Sequence, residues 1–196
     1  MSRRLYFISH PNVVVDPNVP VPRWPLSQAG RDRMTAGLAQ SWVPTVTSVY
    51  ASSEQKAIDT AEILARHRSL DFVIDESLGE NDRSSTGFLP PHEFEKVADE
   101  FFAFPDRSVR GWERAADAQE RIISAVSRIA AEDRGKGAIA IVSHGAVGTL
   151  LYCHLAGKEI SRRWDQPANG GGNFYPFMLE PPSAPHGWRA VDSGAA

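Results

Sequence analysis

The chain predicts an α/β fold, a three-layer sandwich in which a mostly parallel central sheet carries helices on both faces. Two observations carry this. Two short apolar runs end alike: Leu5-Tyr6-Phe7-Ile8 leads into Ser9-His10-Pro11, and Ile139-Ala140-Ile141-Val142 leads into Ser143-His144-Gly145. Their β-branched and aromatic content fits strands buried on both faces. Between them, strand-like runs alternate with amphipathic helical stretches, the order expected of parallel strand-helix-strand units. Ligands bind such sheets beyond the carboxyl ends of the strands, so two strand-end histidines point to one site.

The elements follow in order. After His10 comes a segment with prolines at 11, 17, 20, 22 and 25, which excludes helix interior and central strand and predicts an ordered loop, with Asn18, Arg23 and Trp24 as candidate lining residues. Ser27 is a natural cap for a helix from about Gln28 to Ser41. Val46 to Ala51 reads as a second strand, followed by a helix whose face is Ala57, Ile58, Ala61, Leu64 and Ala65; Ser52 and Gln55 have capping-box spacing. Asp71 to Asp75 is a short third strand, and Glu76 to Pro91 has no period. A short helix is expected over Phe94 to Phe104. The clearest helix runs from about Arg114 to Asp133, with Ala115, Ala118, Ile122, Ala125, Val126 and Ile129 on one face. The strand Ala138 to Val142 leads to His144 and a helix from Val147 to Ala156. A glycine-rich turn at 170–172 precedes a strand over Phe174 to Leu179, with which His186 to Val191 is expected to pair as a terminal hairpin.

With 196 residues, 42% of them hydrophobic, the chain predicts one domain over 1–196 with site-lining insertions at about 11–25 and 76–113. A formal net charge of −3 gives no electrostatic reason to expect nucleic acid, and no window has the length of a membrane span. The basic opening Met-Ser-Arg-Arg precedes an apolar run too short for a signal peptide, and the single cysteine, Cys153, excludes an internal disulfide. A cytoplasmic location is therefore expected. Oligomeric state is not readable.

The strand ends gather His10, Ser52, Lys56, Glu80 and His144. Lys56 lies in the first turn of a helix, where a cation opposes the helix dipole unless an anion binds there. A helix N-terminus with a lysine outlines a phosphate site.

Together these motifs resemble the histidine phosphatase superfamily, the phosphoglycerate mutase-like fold, over nearly the whole chain. That family's opening Arg-His-Gly is matched by Ser9-His10-Pro11, and its Leu-Ser/Thr-x-x-Gly by Leu26 to Gly30. Its Ser-x-x-x-Arg-Ala-x-x-Thr-Ala is matched by Ser52 to Ala61, its Leu-x-Glu by Leu78-Gly79-Glu80, and its Val-Ser-His-Gly by Val142 to Gly145. The resemblance implies a phosphomonoester hydrolase acting on a small phosphorylated substrate, with no cofactor and no metal. His10 would accept the phosphoryl group as nucleophile, Glu80 would act as acid and base, and His144 with Lys56 would hold the phosphoryl oxygens. Ser9, Arg83 and Asn18 are further candidates for the phosphate pocket.

Ser9 and Lys56 stand where the family has arginines, and Pro11 where it has glycine. Lysine lacks the bidentate fork and serine lacks charge, so a weakened pocket is expected, and arginine restored at 9 and 56 is expected to raise activity. Two alternatives follow: a member that binds a phosphorylated ligand or protein with little turnover, and, less favoured, a mutase-type phosphotransferase, which asks for more cations. A metal hydrolase built on His10, His144 and Glu80 lacks a His-Glu-x-x-His helix or a cysteine pair.

Overall fold

The computed structural model describes residues 3–194; the Met1-Ser2 part of the basic opening, and the last two of the 196 positions, lie outside the described residues. Seven strands form one mixed sheet: β1 (Leu5–Ser9), β2 (Val46–Ala51), β3 (Phe72–Ile74), β4 (Ala138–Ser143), β5 (Asn173–Leu179), β6 (Pro182–Ser183) and β7 (Arg189–Ala190). The order is β3-β2-β4-β1-β5-β6, with β7 also pairing β5. The first four strands are mutually parallel, and β5 runs antiparallel to β1 at the other side. Five α-helices cover the sheet: α1 (Gln28–Gly37), α2 (Gln55–Arg68), α3 (Pro91–Ala103), α4 (Ala115–Glu132) and α5 (Gly145–Leu155).

The period of two in β1 and β4 divides the core. Leu5, Phe7, Ile139 and Ile141 pack with the apolar faces of α3, α4 and α5, whereas Tyr6, Ile8, Ala140 and Val142 pack with Met34 of α1 and Ala57, Ala61 and Leu64 of α2. Successive residues of a strand point to opposite faces, so a continuous apolar run is what a doubly covered strand requires. The predicted three-layer α/β sandwich is thus the observed one.

Register then brings the functional segments together. Ser9 of β1 pairs with Ser143 of β4, and Ala51 of β2 with Val142. The ladder continues one step further, with the His10 N–H donating to the Ser143 carbonyl at 3.1 Å and the Ser52 N–H to the Val142 carbonyl at 2.9 Å. Ser52, His144 and His10 therefore leave three adjacent parallel strands at the same edge.

Local differences have identifiable causes. Ser27 caps α1 as expected, accepting the Gly30 N–H at 3.2 Å, but the helix stops at Gly37 and gives way to turns. The capping box at Ser52 and Gln55 does not form. Ser52 instead bonds His144 and accepts the Glu54 N–H at 3.2 Å, leaving Glu54 at the N-cap of α2. The terminal hairpin is reduced to two-residue pairings, and Trp188 sets its ring edge-on against Phe7 and Tyr175.

Candidate functional site

The proline-rich segment closes on itself beside the strand ends. Val13 bridges Leu26, and the Trp24 indole donates to the carbonyls of Asp16 and Val19, both at 2.9 Å. Facing it is the irregular chain after β3, held by Arg121 of α4. The Arg121 guanidinium donates to the carbonyls of Ser77, Gly79 and Glu80 at 2.9–3.2 Å while paired with Glu113. Between these walls lies a cleft of about 940 Å³. Its lining combines apolar Val21, Trp24, Phe88, Leu89 and Phe94 with the polar groups of His10, Glu54, Lys56, Glu80 and Arg83.

His10 lines the cleft, and His144 packs beside it in the interior without lining the cleft itself, ring centroids 5.2 Å apart and nearly perpendicular. His10 Nδ1 lies 2.8 Å from the Pro11 carbonyl. A carbonyl only accepts, so Nδ1 carries the proton and neutral His10 has its lone pair on Nε2. Burial, reinforced by the Lys56 charge, lowers the His10 pKa to about 4, so the neutral ring dominates at pH 7. His144 is wholly buried, which drives it well below the ordinary histidine value despite the opposing Glu54 charge. Its Nε2 is 2.8 Å from Ser52 Oγ and 3.3 Å from Glu54 Oε1, while Nδ1 is buried without a partner among the described residues.

Glu80 points back at the start of α5. Its carboxylate accepts the N–H groups of Val147 at 3.1 Å, Ala146 at 3.3 Å and Asn81 at 3.2 Å. Burial raises its pKa, against the opposing charge of Arg83 and these backbone donors. Burial likewise lowers Lys56, against the pull of Glu54. The Lys56 ammonium is ion-paired to Glu54 Oε2 and donates to the Val21 carbonyl at 3.0 Å. Arg83 lies over the rings of Phe94 and Trp112, 5.2 and 5.6 Å from their centroids. Asn18 also lines the cleft, but its amide and backbone N–H are turned onto Asp16.

Ser9, like His144, does not reach the cleft surface. It is wholly buried and is not among the cleft-lining residues; its hydroxyl donates to Gln166 Oε1 at 2.6 Å and accepts the Asn173 N–H at 3.0 Å. Two residues that spacing did not single out do face the cleft. Glu54 is held to about 2: burial opposes its ionisation, but His144, Lys56 and the Glu80 N–H together outweigh burial. Asn81 is 4% exposed with its Nδ2 unpartnered among the described residues. The signal for Glu54 was its place two residues before Lys56 at a helix start; nothing in the sequence marks Asn81 beyond its adjacency to Glu80.

Among the described residues, no group of three or more His, Cys, Asp and Glu side chains is arranged to hold a metal ion. No described helix is long and apolar enough to cross a membrane.

Comparison with known proteins gives a consistent picture. The model of the histidine phosphatase superfamily (branch 1) matches residues 21–172. A mycobacterial glucosyl-3-phosphoglycerate phosphatase superposes with a TM-score of 0.74 at 18% identity, covering 96% of each chain. YhfR of Bacillus stearothermophilus superposes with a TM-score of 0.73 at 23% identity, covering 100% of this chain and 98% of its own. A phosphoglycerate mutase from Bacillus anthracis gives 0.66 at 16%, covering 99% and 94%. At these identities the likeness is one of fold. A search of curated proteins gave no match.

Proposed function

Since the chain belongs to the histidine phosphatase superfamily, branch 1, we propose that it is a phosphomonoester hydrolase working through a phosphohistidine on His10. The observation that carries this reading is the state of His10 itself. Its ring lines the cleft, Nδ1 is committed to the Pro11 carbonyl, and the low pKa leaves Nε2 as an unprotonated nucleophile at neutral pH.

In the first step His10 Nε2 forms a bond to phosphorus as the P–O ester bond breaks, and Glu80 delivers a proton to the departing oxygen. In the second, Glu80 accepts a proton from water as the water oxygen attacks phosphorus, and the P–N bond breaks to release phosphate. Burial raises the Glu80 carboxyl towards the protonated form this role needs. His144, Lys56 and Arg83 supply donors around the phosphoryl oxygens. The volume of the cleft suits a small phosphorylated substrate, and its Trp24, Phe88 and Leu89 wall suits one with an apolar body.

A second reading, binding of a phosphorylated ligand with little turnover, is favoured by one feature: Lys56 is already ion-paired within the cleft. A panel of phosphomonoesters presented to the wild type and His10→Ala separates the two. Turnover that falls at least about 10³-fold in the variant, with an acid-labile phosphoenzyme trapped only in the wild type, is the expected result. Equal turnover in both proteins would remove His10 from the chemistry.

A further inference from the structure

The Glu54 carboxylate occupies the place where the proposed reaction needs an anion. Two donors converge there, and a histidine nitrogen lies close by. The Lys56 ammonium is paired with Oε2, while Oε1 accepts the Glu80 backbone N–H at 3.1 Å and lies 3.3 Å from His144 Nε2. Lys56 and His144 are the groups that would hold phosphoryl oxygens, and His10 is beside them. The side chains of Glu54 and Lys56 are only 13% and 4% exposed, so this pair is not a solvated surface contact. A planar carboxylate with two oxygens reproduces part of a phosphate's acceptor set. Nearby, the Nδ2 of buried Asn81 is a donor that the internal carboxylate leaves without a bond among the described residues.

Resting on the reading of this cleft as a phosphoryl site, we infer that Glu54 is an internal anion that fills the phosphate cradle and must be displaced before a phosphoryl group can bind. Glu54 is the N-cap residue of α2, outside the helix proper, so its side chain can rotate away without unwinding a turn. A dianion arriving with Glu54 in place would meet a like charge in a poorly solvated site. Displacement imposes the same penalty on every phosphorylated ligand. Affinity above that penalty comes from the rest of the ligand, against Trp24, Phe88 and Leu89. The site thereby rejects free phosphate and small polar phosphomonoesters and selects those carrying an apolar body.

The test is direct anion binding, read by calorimetry with inorganic phosphate and orthovanadate on the wild type, Glu54→Gln and Glu54→Ala. Glutamine keeps the shape and an acceptor for Lys56 while removing the charge, so it decides the matter should the alanine variant fold poorly. Glu54→Gln is expected to bind both anions at least about tenfold more tightly than the wild type. A merely structural role for Glu54 would lower thermal stability without that gain. Unchanged or weaker binding by a folded Glu54→Gln overturns the inference. If the wild type nevertheless turns over an ester in a His10-dependent way, the hydrolase reading survives that failure. Tighter binding without any phosphohistidine leaves the internal anion standing and the hydrolase reading refuted.

Discussion

Ser9 is held in a slot without solvent, its hydroxyl bonded to Gln166 Oε1 at 2.6 Å and to the Asn173 N–H at 3.0 Å, and Gln166 in turn accepts from the Asn173 amide at 2.9 Å. An arginine there has no room and no anionic partner among these groups. Ser9→Arg is therefore expected to destabilise the fold by about 3 kcal/mol or more, as overpacking and a buried unpaired charge combine, rather than to strengthen a phosphate pocket. Urea unfolding of the variant reads this directly; wild-type stability with raised activity would contradict it. The same contrast explains what the sequence disclosed at this scale. His10 and His144 were legible because strand-end position fixes where such a residue goes. The direction of the Ser9 side chain was not, since it depends on Gln166 and Asn173, residues 157 and 164 positions away. Glu54 was hidden for another reason: an acidic residue at a helix start is ordinarily explained by the dipole, and only the assembled site shows its carboxylate facing Lys56 and His144.

Among the elements, α4 was the easiest to read, since its apolar positions recur at three and four and all six of the predicted face residues are buried. The chain from 76 to 91 was the hardest, because it has no period and takes its shape from a distant cation. Arg121 on α4 ties three carbonyls of that chain to Glu113, and Glu80 then caps the first turn of α5. Arg121→Met retains most of the stem but strands those acceptors. A loss of about 2–3 kcal/mol is expected, the range for a broken, partly buried charged network. Its local signature is the sharper measurement: amide exchange at Ala146 and Val147 should accelerate more than exchange in β2, because Glu80 loses its anchor. Uniform acceleration across the molecule would mean that Arg121 supports the core and does not position Glu80.

At the scale of the whole molecule, the alternating core of β1 and β4 and the parallel order β3-β2-β4-β1 follow from apolar runs that any doubly covered sheet requires, which is why the fold class was legible. The site that this order assembles also couples protonation to global stability. His10, lowered to about 4, and His144, lowered well below its ordinary value, are both neutral in the folded state at pH values where an unfolded chain would protonate them. The unfolded state then binds more protons as pH falls below about 6.5, so stability is complete above that value and is lost towards pH 4. For His10 alone the loss between pH 7 and pH 5 is about 2 kcal/mol. Glu54, held to about 2, adds its own loss only at lower pH, while the raised Glu80 works in the opposite sense by favouring its protonated form when folded. The decline that begins near pH 6.5 is therefore a histidine effect. Denaturant midpoints measured at half-unit steps from pH 7.5 to 5 should fall across that window, and His10→Asn should flatten the slope by its share. A level profile, or a slope that the variant leaves unchanged, would show that the folded protein takes up the His10 proton over the same pH range as the unfolded chain, so that burial does not lower its pKa.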